Sequence, residues 1–157
     1  MKRLACVLSA GLCILLFAGC QPQESAQKPL TGIDPCFTEE LGYYNESPSV
    51  IRMGNRQYMF YTRNAVINDN TTDTIAVRSA VWQDEAWVWS APKTVLSATG
   101  EGGDGASVFG ADVIAGEFLY EGETYSYLMA YAGSEKSNRS NAQIGFAVSN
   151  EIDGEYV

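Results

Sequence analysis

The chain has 157 residues, with ten basic against nineteen acidic side chains and a formal net charge of −9. An acidic surface of this kind repels a phosphate backbone, so no nucleic-acid partner is expected. Histidine is absent, which excludes a Ser-His-Asp triad, a Cys-His pair and the common His-bearing zinc sites within this chain; no metal or cofactor is expected.

Met1-Lys2-Arg3 opens the chain, and an apolar run ends in Leu16-Phe17-Ala18-Gly19-Cys20. A basic start, a short apolar stretch and small residues before a cleavage point make a secretory signal over residues 1–19. The stretch from Leu4 to Ala18 is short for a bilayer-spanning helix, which needs about 20 apolar residues. The Ala18-Gly19-Cys20 ending resembles the lipobox of bacterial lipoproteins, with Phe17 where leucine is commoner. That resemblance implies lipidation of Cys20 and a place in the bacterial cell envelope, outside the cytoplasm, at the outer membrane or cell surface. The acyl chains are then the expected membrane contact, because no polybasic stretch is present to hold anionic lipid. Cys6 and Cys13 leave with the signal, and Cys36 reads as a half-buried residue near the start of the domain.

Residues 20–31 continue as QPQESAQKPLT after Cys20, polar and twice interrupted by proline. They read as a flexible tether, with folded structure from residue 32 to 157. Ser49 to Met53 is β-rich and stops at Gly54-Asn55, a hairpin signal. Gln57 to Thr62 (QYMFYT) is apolar and aromatic almost throughout, as in a strand covered on both faces. A polar loop from Asn64 to Asp73 leads to Thr74–Trp82, a turn at Gln83-Asp84-Glu85, and a fourth extended segment from Trp87 to Leu96 with Pro92 near its edge. No stretch carries a sustained 3.6-residue apolar stripe, so an all-β fold is expected.

The second half repeats the order. Asp112 to Leu119 is a strand and Tyr120 to Glu123 a turn; Thr124 to Ala132 (TYSYLMAYA) is a buried strand. A polar loop from Gly133 to Asn141 then precedes a strand over Ala142–Ser149. Met59-Phe60-Tyr61 matches Met129-Ala130-Tyr131 at an offset of 70, and Ala76-Val77-Arg78-Ser79 matches Phe146-Ala147-Val148-Ser149 at the same offset. Val50-Ile51 matches Val113-Ile114 at an offset of 63. Repeats of four antiparallel strands point to propeller blades, one over about 45–97 and a second over about 108–157. Two blades do not close a ring, and the second unit is short of its last strand. The expected fold is therefore an incomplete β-propeller.

Glu46-Ser47-Pro48-Ser49-Val50-Ile51, followed by Arg56-Gln57-Tyr58-Met59-Phe60-Tyr61, resembles the "DPSVI…YYMFYS" text of the five-bladed β-propeller glycoside hydrolases. This is the arabinanase and β-xylosidase group, with the fructan-hydrolysing enzymes among its relatives. Trp89 to Leu96 looks like that group's blade-closing strand, and Gln143 to Ser149 followed by Gly154 like its "IGLAxSxxxxG". The resemblance covers roughly residues 44 to 157, about two blades of five, and implies a poly- or oligosaccharide partner.

Glycoside cleavage generally uses two carboxyl groups, one protonating the leaving oxygen and one activating water or attacking directly. The family places such groups near the start of innermost strands. Its base position falls on Ser47 here, which cannot accept a proton at neutral pH, with Glu46 one residue earlier. Glu46 substitutes only if a bulge turns it toward the axis; Asp34-Pro35 is another source of the carboxylate. In the second blade, an ungapped match puts Gly110 at the Asp position and Asp112 at the Ser position. A two-residue deletion instead makes Asp112 the family's pKa modulator. Asp104, on the loop Gly102-Gly103-Asp104-Gly105, is a third candidate. The competing explanations are a solvated rim charge for Glu46 and turn capping for Asp104 and Asp112. Three functions follow: a surface-anchored glycan-processing propeller present as its N-terminal part, a non-catalytic carbohydrate-binding or scaffold propeller, or an inactive truncated product.

Overall fold

A computed structural model describes residues 44–67 and 70–157. The signal, Cys20, the tether, Asp34 and Cys36 lie outside the described residues. In chain order the elements are β1 (Asn45–Met53), β2 (Arg56–Ile67), β3 (Asn70–Gln83), β4 (Ala86–Trp89), β5 (Lys93–Leu96), a 3-10 turn (Gly102–Asp104), β6 (Ser107–Tyr120), β7 (Glu123–Ser134) and β8 (Gln143–Ser149). The all-β expectation holds.

All strand pairs are antiparallel. The first sheet runs β1-β2-β3-β4 with β5 also on β3, and the second runs β6-β7-β8. The expected single strand over Trp87–Leu96 is two short ones, because the chain leaves the ladder at Ser90–Pro92. Proline cannot donate to a ladder, and Arg78 instead reaches the Ser90 carbonyl at 2.8 Å. The hairpin turns follow local chemistry. Asp84-Glu85 and Glu121-Gly122 both place two consecutive residues at positive φ, the backbone that a tight two-residue hairpin needs.

A second departure concerns Asn64 to Asp73. In place of a polar loop, β2 and β3 extend through it, paired as far as Ile67 opposite Asn70. The polarity has another use there. Thr62, Asn64, Asp73 and Thr74 are buried, and this end of the sheet bonds to the second sheet. Thr72 Oγ1 donates to the Ala106 carbonyl at 2.6 Å, Ser107 Oγ to Asp73 at 2.7 Å, and the Gly110 amide to Thr62 Oγ1 at 2.9 Å. Buried polar groups are tolerated when they find such partners.

The core lies between the sheets. Cross-strand partners share a face, so the rows Ile51–Tyr58, Ser49–Phe60–Val77 and Thr62–Ile75 form one face of the first sheet. They join Val113, Met129 and Ala147, one row of the second sheet, in a single apolar cluster with Val95, Val108, Ile152 and Tyr156. Phe60 meets Tyr156 edge-on at 6.2 Å. Burying a side chain such as Phe60 or Met129 contributes about 1.5–3 kcal/mol. The Tyr156 amide donates to the Val95 carbonyl at 2.9 Å, and Val157 exchanges two backbone hydrogen bonds with Val148.

Candidate functional site

Both sheets begin their first strand in the same way. In β1, Glu46 faces Thr62 and Ser49 faces Phe60, so Ser47-Pro48 bulge out of the ladder. In β6, Phe109 faces Ala132 and Asp112 faces Ala130, so Gly110-Ala111 bulge likewise. The first bulged residue has a left-handed backbone in each, φ 50° at Ser47 and 63° at Gly110. Glycine adopts this without cost; serine does so with strain. Since Val50 pairs Met59 and Val113 pairs Met129, the two strands align without a gap. Of the two alignments, the register supports the ungapped one: Gly110 corresponds to Ser47, and Asp112 to Ser49.

The twin positions touch. Ser49 Oγ donates to Asp112 Oδ1, which also accepts the Val113 amide at 3.1 Å. Asp112 and Ser47 are exposed, whereas Glu46 is half-buried beside them on β1. Glu46 is ion-paired with Arg139.

Arg139 organises this end of the molecule. It stands in the β7–β8 loop at φ 60°, its amide donating to the Lys136 carbonyl at 2.9 Å. The loop is braced by Ser134 Oγ donating to the Ser140 carbonyl at 2.8 Å. Arg139 Nε donates to Asp73 Oδ2 at 2.8 Å and a terminal nitrogen to the Tyr44 hydroxyl at 3.1 Å. Its guanidinium lies over the Phe109 ring, 4.6 Å from the centroid, where a cation is attracted to the π face.

Asp73 is the buried anion of the cluster. It accepts from Arg139, from Ser107 and from the Tyr44 hydroxyl. Burial pushes its carboxyl upward, but these hydrogen bonds and the adjacent cation outweigh burial and hold it below its ordinary value. Arg139 is pushed further up, first by its hydrogen bond to Asp73 and then, against burial, by Glu46. The Tyr44 phenol is raised by burial and by Asp73.

Asp104 occupies a different place. It ends the 3-10 turn, accepts from Thr99 Oγ1 at 2.7 Å and from the Tyr131 hydroxyl at 2.8 Å, and lines a groove of about 720 Å³ with Val95, Leu96, Phe146 and Tyr156. Burial and this carboxylate push the Tyr131 phenol up to about 12. The structure thus brings Glu46, Ser47 and Asp112 to one corner and sets Asp104 among the groups of the groove. Tyr44, Asp73, Ser107 and Arg139 were not legible as site residues. Their only sequence signals were a lone arginine in a Ser- and Asn-rich loop and an Asp in a segment too polar to read as strand. Among the described residues no group of three or more Cys, Asp or Glu is arranged to hold a metal ion.

No family model and no curated protein matches the chain. Two solved structures are similar in fold. One is described as a complex of BT0996 and RGII, with a TM-score of 0.51 and 17% identity over 73% of this chain and 36% of that one. The other is described as "Glycoside hydrolase", with a TM-score of 0.52 and 18% identity over the same shares. The chain therefore spans 36% of the length of either structure, and what it shares with them is a glycoside-hydrolase-like fold.

Proposed function

We propose that this chain is a carbohydrate-recognising lipoprotein of the bacterial cell envelope, anchored through Cys20. Its two sheets then correspond to the first two blades of a propeller related to the five-bladed glycoside hydrolases. The fold likeness to a glycoside hydrolase and to a protein in an RGII complex supports a saccharide partner. The observation that carries the reading is the meeting of two equivalent strand starts, which gathers Glu46, Ser47 and Asp112 at one polar corner. Carboxylates and hydroxyls in that arrangement suit sugar hydroxyls, which both donate and accept.

Recognition is favoured over cleavage. Hydrolysis asks for one carboxyl as acid and another as base or nucleophile. Here serine holds the expected base position, Glu46 is committed to Arg139, and Asp112 to Ser49 and the Val113 amide. Hydrolysis is the second reading, kept by the presence of two carboxylates at the corner.

Titration calorimetry of the full chain against arabinan- and pectin-derived oligosaccharides tests the first reading, with reducing-sugar release assayed in parallel. Binding that Asp112→Ala abolishes, without sugar release, is the expected result; release that depends on Glu46 selects the second reading. No binding to any glycan overturns both and leaves an inactive product. For the anchor, the N-terminal peptide should carry diacylglycerol on Cys20, and Cys20→Ala should free the protein from membranes.

A further inference from the structure

The two bulges that open β1 and β6 are equivalent in register but not in conformational cost. Ser47 at φ 50° and Gly110 at φ 63° hold the same left-handed backbone. Glycine reaches that region freely, whereas a Cβ crowds the following carbonyl there. At Gly110 an added Cβ would meet nothing within 4 Å. Backbone conformation, not lack of space, is therefore what favours glycine in this bulge. Ser47 carries a further penalty: Pro48 follows it, and the residue before a proline is driven towards extended conformations.

The second bulge serves the packing of the chain. The Gly110 amide donates to Thr62 Oγ1 at 2.9 Å and so ties β6 to the first sheet. Among the described residues nothing comparable explains the first: Ser47 is exposed, and its hydroxyl has no hydrogen-bond partner. Its neighbours are engaged, Glu46 with Arg139 and Ser49 with Asp112. A strained residue without an internal partner, set between two engaged ones, is where a ligand contact is expected. Pro48 adds stiffness, because its ring fixes φ and it brings no amide to the ladder. The backbone that carries the Ser47 hydroxyl is thus set before any ligand arrives, which lowers the ordering cost of binding.

We propose, resting on the saccharide reading above, that Ser47 is a sugar-contacting residue whose strained backbone is kept for binding. Its hydroxyl donates to, or accepts from, a sugar hydroxyl at the corner. Stability and recognition then oppose each other at this one position: removing the side chain strengthens the fold and weakens the site.

Titration calorimetry and urea unfolding of the full chain test it together, in a mild detergent that keeps the apolar N-terminal run from self-associating. The probe is whichever arabinan- or pectin-derived oligosaccharide binds the parent. Ser47→Gly should unfold at higher urea than the parent, since relief of the left-handed backbone outweighs the freedom glycine adds to the unfolded chain. It should bind about three- to tenfold more weakly, the worth of one hydrogen bond. Ser47→Ala keeps a Cβ at the strained position, so it should lose the same affinity without gaining stability. Asp112→Ala reports on the site itself. If it abolishes binding while Ser47→Gly or Ser47→Ala binds as the parent does, the site stands and the role of Ser47 falls. A Ser47→Gly chain that is unfolded, or no more stable than the parent, also overturns the proposal. A parent that binds no glycan overturns the saccharide reading, and the proposal with it.

Discussion

Ser49 and Asp112 hold the same position in two successive sheets, 63 residues apart, and the hydroxyl of one donates to the carboxylate of the other. The bond ties the first strands of the two sheets at the corner where the candidate saccharide contact lies. A double-mutant cycle with Ser49→Ala and Asp112→Ala should give a coupling of about 0.5–1.5 kcal/mol in urea unfolding, the usual net worth of a hydrogen bond. Additive effects would show that the two side chains do not interact in solution.

Arg139 crosses between the sheets to reach Asp73, Glu46 and Tyr44. Its removal leaves Asp73 buried without its cation. Arg139→Ala should therefore destabilise by about 2–4 kcal/mol, more than a surface ion pair is worth. Denaturant unfolding monitored by tryptophan fluorescence measures this, and a loss below about 1 kcal/mol would contradict the network.

The same carboxyl gives the fold an acid limit. Asp73 has a folded value below its unfolded one, so the folded state binds the proton less readily. Its contribution is complete above the unfolded value, about 3.9, and declines as pH falls through the folded one. Stability should drop below about pH 4, and Asp73→Asn should flatten that part of the profile while lowering stability at neutral pH. A variant whose stability falls as steeply with acid as the parent's would exclude Asp73 as the source.

At the alkaline end the sign reverses. Tyr131 ionises near 12 in the folded chain, above its ordinary value of about 10. The stability it lends is present below about pH 10 and lost as pH rises through 12. Phenolate absorbance should show several late-titrating tyrosines, since burial also raises Tyr156 and Tyr44, and Tyr131→Phe should remove one of them.

Gly145 faces Tyr131 across β7 and β8, and a Cβ there would stand 2.5 Å from Tyr131 Cζ. Gly145→Ala must therefore displace the ring that reaches Asp104. A loss of about 1–3 kcal/mol is expected, together with a normalised Tyr131 titration. An alanine variant as stable as the parent, with its late tyrosine intact, would contradict this packing.

The strands themselves were legible because β-branched and aromatic runs are bounded by residues with turn chemistry, as at Gly54-Asn55 and Glu121-Gly122. The offsets of 63 and 70 for the first two strands agree with the register. The third differs by one residue: Val77 corresponds to Phe146 rather than to Ala147. Similar text around Ser79 and Ser149 favoured the slipped match. A single-residue slip exchanges the two faces of a strand, which sequence similarity does not sense but packing does. Asn64 to Asp73 misled for a related reason. Thr72 and Asp73 meet hydrogen-bond partners at Ala106 and Ser107, and nothing local reveals a partner 34 residues away. Arg139 was hidden in the same manner, since its anions are brought to it only by the packing of the two sheets.

The bulges at Ser47-Pro48 and Gly110-Ala111 have an effect on colloidal behaviour. They interrupt β1 and β6, the strands at the margins of their sheets, where a straight run of free amides would template a foreign strand. β8, on the other margin of the second sheet, has no such interruption; among the described residues Val157 alone bonds to it from that side. Among the described residues, Gln143–Ser149 is thus the margin along which a foreign strand can add, and when the given chain is driven to aggregate by heat, Ile144→Lys should slow thioflavin-positive growth.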